Sequence, residues 1–484
     1  MIADLKPYAE YKESGLSTLG KVPAHWELRQ ARQIGRFIKG VGGTKEDSVP
    51  EGVPCVRYGE LYTTFTYFIR TSKAFIKTGR AADYLPIQYG DVLFAASGEK
   101  IEEIGKSAVN LMNVTAVCGG DVIVLRPSVP VHGPFLGYAM DCRPAAIQKA
   151  TMGRGTTIKH IYPDELRSLL FPLPTLDEQE AIVRFLDWAN GRLERAIRAK
   201  RKVIALLNEQ KQAIIHRAVT RGLDPSVPLK PSGIPWLGDI PLHWEMPLFG
   251  RLLRGVEQGW SPVGAEGEIA LDQWTVLTLS SVRRGTFNPS EIKPVSRKAT
   301  IPSGIEIHDG DILLTRSNTR DRVGDVCIVR NARNRTILCD LIYRLRVRDS
   351  EIVPEFLVYQ LLSRVGRAQI EQDARGSSGT MPKISQRHIK SWRILLPPTN
   401  EQMDIVHRID ADCAPMLSAI SRLEREIDLL REYRTRLVAD VVTGKLDVRD
   451  AAAKLPVEEQ AIEPGELVED DSAMMEDEIT EPVG

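Results

Sequence analysis

Residues 14–27 read SGLSTLGKVPAHWE and residues 232–245 read SGIPWLGDIPLHWE, so one lead-in segment is written twice, 218 positions apart. Further along, Gly90-Asp91-Val92-Leu93 returns as Gly310-Asp311-Ile312-Leu313. Leu173-Pro174 with Glu178-Gln179 returns as Leu396-Pro397 with Glu401-Gln402, and Val219-Thr220 with Leu223-Asp224 returns as Val442-Thr443 with Leu446-Asp447. Such self-similarity marks a duplicated architecture. The offset drifts from 218 to 223 through the globular stretch and then holds at 223 from Glu178 to Asp224. The frame is fixed and the inserts vary, which suits two readers of different targets. Duplicated active sites would instead repeat their polar residues most strictly.

Short apolar runs rich in Val, Ile, Tyr and Phe predict strands, at Val92-Leu93-Phe94, Val122-Ile123-Val124-Leu125, Asp311-Ile312-Leu313-Leu314 and Ile342-Tyr343-Arg344-Leu345. Residues 134–150 and 354–372 carry helical periodicity. Each insert is thus expected to be a mixed α/β domain.

After Glu178 and Glu401 the chain reads as helix for about 40 residues, with Thr175 or Asp177 and Thr399 or Asn400 as candidate caps. In the second, Ile409, Cys413, Met416, Ile420, Leu423, Ile427, Leu430, Arg434, Leu437 and Val441 follow alternating steps of four and three, the seam of a coiled coil. The matching positions of the first are Leu186, Asn190, Leu193, Ile197, Lys200, Ile204, Leu207, Lys211, Ile214 and Ala218. A shared seam predicts that the helices pair with each other, antiparallel, with the two halves related by a pseudo-twofold; the alternative is two helices packed separately on their own domains. Pro415 is expected to kink or interrupt the second helix.

Lys and Arg number 64, equal to Asp and Glu, but residues 456–484 hold eleven acids and no Lys or Arg. Residues 1–455 therefore carry a surplus of eleven positive charges, as a phosphate-backbone binder should. The acidic tail has no aromatic residue and reads as disordered. The six cysteines form neither a C-x-x-C pair nor a zinc-spaced cluster with His, and are expected as reduced core residues. The N-terminus has no apolar leader and no run is long enough to span a bilayer, which points to a cytoplasmic chain without a membrane partner.

The doubled lead-in segments, the Leu-Pro and Glu-Gln starts of the long helices and the Val-Thr-x-x-Leu-Asp exits resemble the specificity subunit of type I restriction-modification enzymes, over about residues 8–450. The resemblance implies an α+β chain with two tandem target recognition domains, each reading one half of a bipartite site in double-stranded DNA, separated and followed by long helices. It implies residues 1–174 as N-terminal segment and first recognition domain, 175–225 as central helix, 226–396 as second recognition domain, 397–450 as C-terminal helix and 451–484 as tail. It also implies two adenine-specific methyltransferase subunits and ATP-dependent restriction subunits as partners. S-adenosylmethionine, ATP and magnesium would then belong to those partners, leaving this chain without cofactor. Ser17-Thr18 stands where the second copy has the more usual Pro235-Trp236, and the tail has no counterpart in the family pattern.

The chain's own residues offer no catalytic motif. Gly105-Lys106-Ser107 resembles the end of a phosphate loop, but its first Gly is replaced by Lys100. There is no Asn-Pro-Pro-aromatic or Asp-Pro-Pro-aromatic tetrapeptide and no H-E-x-x-H. Pro163-Asp164 with Glu209-Gln210-Lys211 matches a loose nuclease pattern, yet Lys211 falls on the seam. His25 and His243, each beside a repeated Trp, are expected to be buried structural residues.

Two pairs of loops carry the residue types that DNA needs: Lys and Arg for phosphate, Arg and Asn for base edges. In the first half these are Ser97 and Lys100, and the Gly-rich stretch with Arg154, Thr156, Thr157 and Lys159. In the second they are Arg316, Asn318, Arg320 and Arg322, and the stretch with Ser378, Thr380 and Lys383. Lys39, Lys45 and Arg57-Tyr58 are further candidates for the first domain. Each loop reads equally well as a solvated turn, and the whole chain has an alternative reading as a coiled-coil scaffold that binds no DNA.

Overall fold

The structure, a computed structural model, describes residues 5–456 except 99, 156–158, 236, 263, 265, 266, 268, 271 and 375–380, and leaves out the side chains of 45 and 102. Thr156, Thr157, Ser378, Thr380, Trp236 and the acidic tail beyond 456 lie outside the described residues. The chain forms two compact units, Met1–Lys200 with Arg425–Gly484 and Arg201–Glu424.

In the first unit a five-stranded sheet runs in the order Gly35–Lys39, Val122–Pro127, Val92–Ala95, Ser107–Asn110, Tyr67–Ile69. All its pairings are antiparallel except the last. Its central strands are apolar on both faces because each face meets a separate core. Val92 and Phe94 point into one cluster, Leu93 and Ala95 into the other. The second core lies against a smaller five-stranded sheet formed by Ser48–Val49, Phe75–Ile76, Val53–Val56, Ala116–Cys118 and Leu85–Ile87. The second unit repeats the plan with a four-stranded sheet, Leu253–Gln258, Ile342–Val347, Ile312–Thr315, Val326–Ile328, and a three-stranded one, Ile292–Pro294, Thr275–Leu277, Thr336–Ile337. Ile312 and Leu314 enter one core and Leu313 the other. All six cysteines are buried and unpaired.

The repeated Gly-Asp step anchors these sheets. Asp91 accepts from the Gln88 backbone and from Arg126 through both carboxylate oxygens. Asp311 accepts from the His308 backbone and from Arg344 and Arg346, so each acid ties a loop to the adjacent strand. Buried charges persist only when paired in this way.

The segments expected as single helices are two helices each. Gly133–Asp141 and Arg143–Met152 are separated at Cys142, whose backbone is extended (ψ 158°). Pro144 lacks the N–H that would have bonded Met140, and the Met140 carbonyl accepts from Lys149 and Ser107 instead. Pro354–Leu362 and Arg364–Asp373 break the same way at Ser363 (ψ 166°), whose hydroxyl donates back to the Gln360 carbonyl.

The two long helices are Leu176–Arg221 and Thr399–Val442, of 46 and 44 residues. Thr175 caps the first by accepting the Glu178 N–H. They pair antiparallel within each unit. In the first, Leu186 shares a core with Leu437, Val438 and Val441, while Arg434 meets Glu194 at 3.5 Å and Lys200 meets Glu426. In the second, Ile215, Ala218 and Val219 pack with Ile405, Val406, Ile409 and Cys413. Rising numbers on one helix face falling numbers on the other. Of the seam, Leu186, Leu193, Ile197, Ile409, Met416, Ile420 and Ile427 are buried, and Ile204, Leu207, Leu423 and Leu430 are half-buried. Pro415 does not interrupt the second helix, contrary to the expectation from its ring.

The repeated lead-in and Glu-Gln motifs prove to be the two sides of one joint. Trp26 and Trp244 are 1% and 0% exposed. Beside them His25 Nε2 lies 3.0 Å from Glu178, and His243 Nε2 lies 2.8 Å from Glu401. Gln179 accepts from the His132 N–H and donates to the Pro174 carbonyl; Gln402 accepts from the Val353 N–H and donates to the Pro397 carbonyl. The Trp26 and Trp244 carbonyls accept from Lys12 and Lys230. Helix-exit Gly444 closes the first joint, since a Cβ there would fall 2.4 Å from Pro23 Cδ and 2.9 Å from Trp26. His25 and His243 are therefore structural but not buried: their side chains are 46% and 43% exposed, because the Trp fills the pocket and the His reaches over it to the acid.

Candidate nucleic-acid interface

Each unit brings its two candidate loops together at the end of the main sheet. In the first, Ser97–Gly98 pairs antiparallel with Lys159–His160, with Ser97 opposite His160 and Gly98 opposite Lys159. The Ala96 carbonyl accepts from the Ile161 N–H at 2.9 Å. In the second, Ser317 bridges Lys383 antiparallel, and the Arg316 carbonyl accepts from the Ile384 N–H at 2.8 Å. Ser97 thus corresponds to Ser317, and His160, not Lys159, corresponds to Lys383.

In the first unit Lys100 is exposed. Arg154 is exposed and 3.0 Å from Glu165, in a two-way backbone bridge with His160. Lys159 is half-buried and its ammonium donates to the Gly155 carbonyl. The Ser97 hydroxyl is engaged by His160 Nδ1 at 3.0 Å, and its carbonyl accepts from Tyr62. Lys39 is exposed at a strand end, Tyr58 is exposed, and Arg57 donates to the Ser48 hydroxyl at 2.6 Å. Lys45 lies outside the described side chains.

In the second unit Arg320 and Lys383 are exposed. Arg316 is half-buried with its guanidinium over the Tyr343 ring at 5.8 Å. Asn318 is buried and accepts from the Thr319 N–H at 2.8 Å, which makes it a shaper of the loop. Arg322 is half-buried and its carbonyl accepts from the Thr315 hydroxyl. Beneath the loop lies Asp325, buried, 3.8 Å from Arg367. Burial pushes its carboxyl up, while Arg367, the Arg284 N–H, and the Arg284 and Arg322 guanidiniums pull it down.

Two features at these sites escaped sequence reasoning. His160 is signalled only by the strand register. The exposed turn Arg283-Arg284-Gly285-Thr286 is signalled by an Arg-Gly dipeptide between two strand-like runs. The Gly105-Lys106-Ser107 stretch leads into the strand Ser107–Asn110, so no helix N-terminus stands there to hold a phosphate.

A family model described as type I restriction modification DNA specificity domain matches residues 23–201 and 302–414. The chain is 23% identical over 467 residues to the type I restriction enzyme EcoKI specificity subunit of Escherichia coli strain K12, spanning 91% of this chain and 97% of that one. It is also 23% identical over 455 residues to the type I restriction enzyme MjaVIII specificity subunit of Methanocaldococcus jannaschii, spanning 91% and 98%. A solved chain from work on complex assembly and conformational transition of the type I R-M system has the same fold, with a TM-score of 0.58 at 17% identity over 88% of this chain and 99% of that one. With more than half of its length matched, in the two halves that the sequence repeats, the chain belongs to the type I restriction modification DNA specificity family.

Proposed function

We propose that this chain is the DNA-specificity subunit of a type I restriction-modification complex, reading a bipartite target with one recognition domain per half-site and catalysing nothing itself. The observation that carries it is the bridging of two basic loops from distant sequence positions, Ser97 to His160 in one unit and Ser317 to Lys383 in the other. The recognition domains are residues 1–174 and 226–396; residues 175–225 and 397–450 are the spacing and docking helices. Exposed Lys100, Arg154, Arg320 and Lys383 contact DNA, with Thr156, Thr157, Ser378 and Thr380 on the same loops. Double-stranded DNA, two adenine methyltransferase subunits and restriction subunits are the partners. The cytoplasm is the place of action; among the described residues no helix is long and apolar enough to cross a membrane.

Methylome sequencing of cells expressing the chain with a methyltransferase partner tests this. The expected result is an N6-methyladenine motif split by a fixed gap, of which Arg320→Ala degrades one half only. An assembled complex that produces no split motif sinks the reading and leaves the scaffold.

A further inference from the structure

In the second unit Val282–Arg283 and Thr286–Phe287 form a hairpin whose two connecting residues are Arg284 and Gly285. Both have left-handed backbones, φ 39° and 91°, the conformation that a two-residue hairpin requires. Arg283, Arg284, Gly285 and Thr286 are all exposed. The turn is fastened at its base: the Arg284 N–H donates to Asp325 at 3.3 Å, and the Gly285 N–H donates to the Val326 carbonyl at 2.8 Å. Asp325 is the acid that also underlies the Arg320 and Arg322 loop, where its own N–H bonds the Arg322 carbonyl at 3.0 Å. One buried residue therefore ties together two basic loops that come from different parts of the chain, the hairpin through its carboxylate and the Arg322 loop through its backbone N–H. The turn at the same sheet edge of the first unit holds Tyr67, φ 62°, which packs on Tyr138 with ring centroids 4.8 Å apart. That turn presents an aromatic inward where this one presents two arginines outward.

We infer that the Arg283-Arg284 hairpin tip is a backbone clamp found in the second recognition domain alone, gripping DNA phosphates beside the base-reading loop of Arg320. This rests on the DNA-reading function proposed above. Two guanidiniums on a pinned turn contribute affinity and no sequence preference, and they make the second domain the main anchor of non-specific binding.

The test is salt-titrated fluorescence anisotropy of the full chain, co-purified with its methyltransferase subunits, on a labelled 40-base-pair duplex of mixed sequence. Arg283→Gln/Arg284→Gln is compared with Lys202→Gln/Arg436→Gln, which removes equal charge from the long helices. Two lost phosphate contacts should reduce the slope of log affinity against log salt by about 1.8 and weaken binding about tenfold near 0.1 M salt. Arg283→Lys/Arg284→Lys should recover most of the slope, which a folding defect would not. A wild-type complex whose binding ignores salt overturns both this inference and the DNA reading. A salt-dependent wild type with a hairpin variant indistinguishable from the helix control overturns the hairpin clamp and leaves the reading intact.

Discussion

Lys149 is 1% exposed and stands among oxygen acceptors, the Gly105 carbonyl at 2.7 Å, the Met140 carbonyl at 2.8 Å, the Ser107 hydroxyl at 3.2 Å and Asp141 at 3.3 Å. A Cβ on Gly105 would touch Lys149, whereas a Cβ on Gly324 in the second unit would touch Ile370, so an apolar side chain fills the matching place there. In the first unit the ammonium takes that place and donates to the Met140 carbonyl, which the Cys142 break releases from the helix ladder. Burial lowers the Lys149 pKa more than Asp141 raises it. Between the depressed folded value and the unfolded value near 10.5, the unfolded chain holds a proton that the folded chain lacks, so this group's contribution to stability rises with pH. Lys149→Met should cost about 3 kcal/mol at pH 7 by taking the donor from the Gly105 carbonyl and the paired cation from Asp141, which with the Met140 carbonyl would keep only Ser107 as a donor. Urea midpoints between pH 8 and 10 should show the gap between wild type and variant widening as pH rises. A narrowing gap would mean that attraction to Asp141 outweighs desolvation.

Pro415 is exposed in mid-helix, between buried Cys413 and Met416. A proline there removes one intrahelical hydrogen bond and crowds the carbonyl four residues back, yet the helix runs on because its neighbours are held in the paired seam. Pro415→Ala should therefore stabilise the second unit by about 2 kcal/mol, the helix-interior cost less the entropy that proline removes from the unfolded chain. A thermal midpoint raised by several degrees would show it; an unchanged midpoint would mean that the surrounding pairing absorbs the defect. The same helix shows why elements differ in legibility. A seam repeated over some forty residues is visible in sequence because each residue adds to one periodic signal, and Leu186, Ile197, Ile409 and Ile427 all prove buried. The two-residue strand Lys159–His160 offers no period, so neither its register nor the place of His160 beside Ser97 is legible in a local window. The break at Cys142 was foreshadowed by Pro144, but Ser363 has no proline after it, and only the packing of Arg364–Asp373 reveals that break. The loops' polar residues were legible as types, while the burial of Asn318 and the tucking of Arg316 over Tyr343 depend on tertiary neighbours that no local window contains.

At the scale of the whole chain, charge is distributed against itself. The protein is neutral only because eleven acids beyond residue 456 offset an equal basic surplus in residues 1–455. A polyanion attached to a DNA-binding chain competes with the nucleic acid for the same field, and that competition is long-ranged only where the Debye length allows, about 10 Å at 0.1 M salt and 30 Å at 0.01 M. Arg184 holds the carbonyls of Leu455 and Pro456, so the point from which those acids depart is fixed on the first long helix. Truncation after Pro456 should leave that anchor and the fold unchanged while raising the net charge to about eleven. Binding to a mixed-sequence duplex should tighten severalfold at 50 mM salt, converge with the intact chain above about 300 mM, and show a steeper dependence of log affinity on log salt. The methylated motif should stay the same, because the acids are remote in sequence from Arg320 and the other base-reading candidates. Equal affinities for intact and truncated chains at every salt concentration would place the tail's charge outside the field of the DNA-binding face, and the basic surplus of the folded part would then act without an internal brake.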